Sequence, residues 1–121
     1  MQLKNKTILI KLTGEALSGE SNSSSLNPEN LKRTAEQLIA GAKTGNSIAV
    51  VVGGGNILRG AALSKMQNFD RVGADQMGML ATIINAIALK EAIRSLGHPS
   101  EILTSIEIQK VAEVFTKKNA L

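Results

Sequence analysis

Several short stretches of this sequence carry residue types that could hold a phosphate group. In Lys11-Leu12-Thr13-Gly14-Glu15 a lysine leaves a strand-like run and a glycine follows at once. A cation at a strand's carboxyl end, beside a glycine that lets the backbone approach a ligand, suits phosphate binding at the edge of a parallel sheet. A lysine lying along the surface next to a turn glycine would read the same way. The run Ala49 to Val52 ends at Gly53-Gly54-Gly55. Three glycines cost backbone entropy on folding, so either the loop turns as only glycine can or something comes very close to its backbone. Their successive N–H groups could line an anion-binding nest, and a helix start after them would add a favourable dipole. Arg59 follows Gly55 closely enough to turn its fork back onto a phosphate held there, although a surface arginine needs no such role. Asp75, ahead of Gln76-Met77-Gly78-Met79, is expected to cap a helix, and its carboxylate could also accept hydrogen bonds from sugar hydroxyls.

Other chemistries find no support. Neither G-x-x-x-x-G-K-[ST] nor G-x-G-x-x-G occurs, so the site is not a P-loop or a Rossmann dinucleotide fingerprint. His98, the only histidine, lies between Gly97 and Pro99 in a predicted turn and receives no catalytic role. No metal-ligand spacing of His and carboxylates is present, and the absence of cysteine excludes disulfides and thiolate metal sites.

The elements that must position these residues are legible in outline. Thr7 to Leu12 reads as a strand and Ser18 to Ser25 as a polar surface loop. A helix is predicted from the Asn27 cap and Pro28, with Leu31, Ala35, Leu38, Ile39 and Ala42 on one face and Gly45-Asn46 as its stop. Ser47 to Val52 is the second strand, and its unbroken apolar run predicts a central strand of a parallel sheet. Strand, helix, strand in this order makes a βαβ unit. Asn56 to Met66 has a weakly helical pattern. A long helix is predicted from Asp75 to Leu96, apolar on more than one face and so buried on both sides, the second side being left to another subunit or the missing part of the fold. Ser100 to Ser105 looks like a third strand, and Thr116 is placed to cap a final helical turn.

The length of 121 residues suits about one domain, and 43% hydrophobic content is ordinary for a globular chain. The net charge of +4 comes with no Trp, no Tyr and no basic block longer than a pair such as Lys117-Lys118, which argues against nucleic-acid binding. No export signal or bilayer-spanning run is expected, because the stretch Met77 to Leu89 is too short, so a cytoplasmic protein is the expectation.

The stretches "KLTGEAL", "VVVGGGNILRG" and "RVGADQMGMLAT", in this order and spacing, resemble the bacterial uridylate (UMP) kinases of the amino acid kinase superfamily. The resemblance covers essentially the whole chain. Its third stretch separates that family from relatives acting on aspartate, acetylglutamate, glutamate or carbamate. It implies a three-layer α/β/α sandwich with a mostly parallel sheet, which moves the γ-phosphoryl of ATP to UMP with Mg²⁺ in pyrimidine nucleotide biosynthesis. It further implies a cytoplasmic homohexamer. On this resemblance Lys11 would stabilise the transferring phosphoryl, with Leu12, Thr13 and Gly14 on the ATP side. Gly54 would meet the UMP phosphate and Gly55 the ATP phosphates. Arg59 would clamp phosphate between the nucleotides, and Asp75 would hold the ribose of UMP.

The loop "SGESNSSSLN" departs from the family's glycine- and aromatic-containing segment, which removes the basis for expecting GTP activation. The family also runs on for roughly as many residues again. Residues 1–121 are therefore expected to be the N-terminal, UMP-side part of a truncated fold, inactive alone. The alternatives are a non-catalytic nucleotide-binding or oligomerisation module of the same fold and another kinase of the superfamily.

Overall fold

The computed structural model describes residues 5–18, 26–57, 68–108 and 112–120. Strand β1 is Thr7–Leu12, helix α1 is Pro28–Ala42 and strand β2 is Ser47–Val52. The strands pair in parallel, with Thr7 opposite Ser47 and Leu12 opposite Val52, so the predicted βαβ unit is present. The first-turn N–H groups of a helix have no partner within it. At α1 the Asn27 side chain accepts from the Asn30 N–H at 2.9 Å, and Pro28 opens the helix where its missing N–H costs nothing.

Alternation along the strands decides which side the helices cover. Ile10 and Leu12 of β1, with Ile48, Val50 and Val52 of β2, pack against a buried cluster of Leu17, Ala35, Leu38 and Leu89. Leu17 belongs to a short 3₁₀ turn, Gly14–Leu17, that closes the first loop onto this core. The intervening residues face away, and Leu9 and Val51 are 69% and 52% exposed. Among the described residues the protein therefore shows a sheet and one helical layer, with the opposite sheet face open. The strand expected to be central, β2, is described with one neighbour. Its only described ladder partner is β1, and it buries one face, because nothing described covers the other.

Helix α2, Arg71–Ser95, packs against α1 and β2. Its start corrects an expectation. Asp70, not Asp75, is the cap, with its side chain accepting from the Val72 N–H at 3.1 Å. Asp75 lies one turn inside, where Arg71 Nε pairs with its carboxylate at 3.1 Å. Two aspartates compete to open this helix, and since nothing between them breaks it, the winding extends to the earlier one. Such a cap is worth about 1 kcal/mol. The helix stops at Leu96, and Gly97 takes the left-handed φ of +83° that favours glycine.

The described residues cover one side of α2 and leave open the side expected to meet another subunit or the rest of the fold. Ala81, Ile83, Asn85 and Leu89 are buried, whereas Val72, Leu80 and Ile84 remain 62%, 45% and 47% exposed. By length and composition alone α2 could cross a membrane. Its charge-free stretch between Asp75 and Lys90 spans only about 21 Å at helical rise, against a hydrocarbon core of about 30 Å. Its inner side packs as a core helix does.

Beyond α2, the predicted third strand is shorter than expected. Strand β3, Leu103–Thr104, pairs in parallel with β4, Glu113–Val114, as a separate two-stranded ladder. A final turn, α3, covers Lys117–Ala120, with the Ala120 N–H donating to the Thr116 carbonyl at 3.0 Å.

Candidate phosphate site at the carboxyl edge

The parallel register brings the carboxyl ends of β1 and β2 side by side. Lys11 stands opposite Val51, and past the last pair the Gly53 N–H still donates to the Leu12 carbonyl at 3.0 Å. The loop after β1 and the glycine loop therefore leave the sheet together. Lys11 lies on the open sheet face, exposed, and no described residue forms an ion pair with it. Thr13 is exposed and Gly14 is buried at the seam between the two loops.

The three glycines answer to different neighbours. Among the described residues only Gly45 and Gly97 are glycines with a left-handed φ, so the turn itself does not demand glycine at 53–55. Close approach does. A Cβ on Gly54 would stand 2.8 Å from Ala81 Cβ and 2.9 Å from the Thr82 nitrogen, inside the backbone of α2. A Cβ on Gly14 would fall on Asn56 Oδ1 and 2.9 Å from the Gly55 nitrogen. At Gly55 the nearest atom would be a Glu15 carboxylate oxygen, 3.1 Å away, so an acid shares this junction. Gly53 meets only ordinary contacts, the nearest at 3.6 Å.

A pair of amides holds this loop to the helix. Asn85 is fully buried on α2, and its Nδ2 donates to the Gly53 carbonyl at 2.7 Å and to Asn56 Oδ1 at 2.6 Å. Asn56 Nδ2 returns a bond to Asn85 Oδ1 at 3.2 Å. Because the Gly53 carbonyl can only accept, Asn85 must turn its Nδ2 toward it, and this sets the orientation of both amides. The Ile57 N–H closes the turn onto the Gly54 carbonyl at 3.0 Å, while no described residue accepts from the N–H of Gly54 or Gly55. The loop thus keeps the Gly53 and Gly54 carbonyls engaged and the Gly54 and Gly55 donors available, as an anion nest requires.

Asp75 does not reach this junction by contact. Spacing by seven puts Asp75, Thr82 and Leu89 on one face of α2, so Asp75 shares the side that meets Gly54, about 10 Å along the axis. Its carboxylate and the Arg71 side chain are 56% and 68% exposed. Arg59 and most of the segment Asn56 to Met66 lie outside the described residues. His98 sits in the turn after α2, with Nδ1 3.2 Å from the Pro99 carbonyl oxygen, and does not approach the glycine loop.

Sequence reasoning missed Asn56 and Asn85. The available signal was a lone amide inside an apolar helical stretch, since a buried Asn must find hydrogen-bond partners. Among the described residues no cluster of three or more His, Asp or Glu side chains converges to hold a metal ion.

The parallel βαβ unit, with a donor-lined loop at its carboxyl edge, places the chain among α/β proteins that take ligands at that edge. The chain belongs to the amino acid kinase family, whose model matches residues 6–120. It is 41% identical over 120 residues to the uridylate kinases of Xanthomonas axonopodis pv. citri (strain 306) and of Xanthomonas campestris pv. campestris. Each match covers 99% of this chain and 49% of the relative. Among solved structures it is similar to the UMP kinase from Ureaplasma parvum, with a TM-score of 0.86 and 33% identity over 97% of this chain and 50% of that one. The UMP kinase from Bacillus anthracis gives a TM-score of 0.86 and 34% identity, over 96% of this chain and 47% of that one. The chain thus spans about half the length of the curated relatives it matches.

Proposed function

We propose that this chain supplies the UMP-side and phosphoryl-stabilising part of a kinase that transfers the γ-phosphoryl of ATP to UMP. The observation that carries the reading is the meeting of the β1 and β2 loops. There Lys11 ends one strand, the unengaged N–H groups of Gly54 and Gly55 follow the other, and α2 backs both. In the transfer, the bond from the γ-phosphorus to the β–γ bridging oxygen breaks and one to a UMP phosphate oxygen forms. Such a step needs positioning and charge neutralisation more than covalent help.

Lys11 is the cation for the moving phosphoryl, with Leu12, Thr13 and Gly14 flanking ATP. Gly54 meets the UMP phosphate and Gly55 the ATP phosphates, and Arg59 clamps between them. The Glu15 carboxylate lies beside Gly55 at the same junction. Mg²⁺ accompanies the phosphates of ATP, and no residue of this chain is assigned to it. The exposed side of α2 is available to a homo-oligomer, and a cytoplasmic place in pyrimidine nucleotide synthesis follows from the same reading. The second reading is a nucleotide-binding or oligomerisation module of the same fold without turnover, with the exposed side of α2 as its contact face.

ATP and Mg²⁺ incubated with the complete gene product and UMP, CMP, aspartate or acetylglutamate in turn separate these readings. UDP from UMP alone is expected. Product from a different acceptor shifts the assignment within the family, and no product from any of them favours the module.

Asp75→Ala tests the ribose contact. Loss of a hydrogen bond to a charged group should weaken UMP binding by about tenfold or more. The exposed pair with Arg71 contributes only about 0–1 kcal/mol, so thermal stability stays nearly constant. An unchanged UMP dissociation constant removes Asp75 from the site.

A further inference from the structure

We infer that Asn85 is a positioning residue that aims the Gly54 N–H at the bound phosphate. This rests on the UMP reading above. It extends that reading to a side chain in the middle of α2 that touches neither nucleotide.

The argument begins with the cost of the residue. Asn is a poor helix former, and burying its amide is unfavourable unless every polar atom is paired. Asn85 is nonetheless fully buried between Ile84 and Ala86, and no buried side-chain polar atom among the described residues lacks a partner. The two Asn85 N–H donors are spent on the glycine loop, one on the Gly53 carbonyl and one on Asn56. A purely apolar helix face could not make the first of these bonds.

The Gly53 carbonyl and the Gly54 N–H belong to one rigid, planar trans peptide and point in opposite directions. Holding the carbonyl toward α2 therefore turns the Gly54 N–H away from α2. Glycine gives up more freedom on such fixing than any other residue, since a Gly-Gly peptide can flip without moving a side chain. The bond from Asn85 removes that freedom before ligand arrives, and a preorganised donor loses no binding energy to reorientation. Asn56, on the loop itself, locks Asn85 through the reciprocal amide pair.

The test compares Asn85→Ala with Ile83→Ala in the complete gene product. Ile83 is buried on the same helix, and its apolar side chain offers the loop no hydrogen bond, so its truncation lowers stability without freeing the Gly53–Gly54 peptide. UMP affinity is measured by calorimetry, and the peptide orientation is read from a crystal structure of each variant. Asn85→Ala should bind UMP about tenfold more weakly, the worth of one well-directed bond to an anion, with that peptide turned. Ile83→Ala should stay within about twofold of the parent, as expected for a site that shares no partner with the loop. Unchanged affinity in Asn85→Ala, an equal loss in Ile83→Ala, or a native peptide orientation without Asn85 overturns the inference. If the parent binds no UMP, the UMP reading falls. The peptide orientation then decides alone, a turned peptide upholding the role and a native one ending it. Should Asn85→Ala fail to fold, Asn56→Ala takes its place, with a loss of about threefold expected and an unchanged affinity counting against the role.

Discussion

Lys11→Ala is expected to lower the turnover of UMP phosphorylation by about 10²–10³ in the complete gene product, the usual loss when one preorganised charge-stabilising donor is removed. Stability should barely change, because Lys11 is exposed and pairs with no described acid, and surface substitutions of this kind stay within about 0.5 kcal/mol. That separation makes the variant informative. A folded protein with native melting temperature and depressed kcat locates the loss in the transition state rather than in the fold. If KM for UMP rises instead while kcat holds, the lysine contributes uniform binding and not transfer. Near-normal values of both would remove it from the reaction. Lys11→Arg should recover only part of the rate, since a planar fork does not replace a compact ammonium at one point in space.

The fold was most legible where local rules act alone. The bounds of β1, α1 and β2 follow from apolar, β-branched runs on either side of a helical spacing that opens at Asn27-Pro28, and the structure reproduces them. The start of α2 was misread because Asp70 and Asp75 both offer a capping carboxylate, and local sequence does not rank them. The candidate site was half legible. Lys11 and the glycines stood out because their types are unusual at strand ends, but the reason for the glycines lay elsewhere in the chain. Gly54 answers to Ala81 and Thr82, and Gly14 to Asn56, contacts between residues far apart in sequence that no local pattern encodes. Asn85 looked like a mere interruption of an apolar stretch for the same reason, since its partners are Gly53 and Asn56.

The glycine at position 54 admits two explanations that predict different outcomes on substitution by alanine. If the loop must only leave room for a phosphate, Gly54→Ala lowers nucleotide affinity and leaves the ligand-free protein as stable as before. If it must leave room for α2, the methyl collides with the Ala81 side chain and the Thr82 backbone at 2.8 and 2.9 Å, and the ligand-free protein suffers first. Helix backbone cannot step aside as a side chain end can, so overpacking of about 1–3 kcal/mol is expected. The displaced loop should also strain the Asn85 bond to Gly53 and weaken UMP binding with it. Gly53→Ala supplies the control. Its φ lies outside the left-handed region, its nearest contact would be 3.6 Å away, and its N–H bond to Leu12 survives the change. That variant should be neutral, or more stable by about 0.4–1 kcal/mol through the reduced freedom of the unfolded chain. Denaturant melts of both variants without ligand distinguish the cases. Equal stability would leave only the phosphate to explain Gly54, whereas a selective loss there would show that the helix claims the space before any nucleotide does.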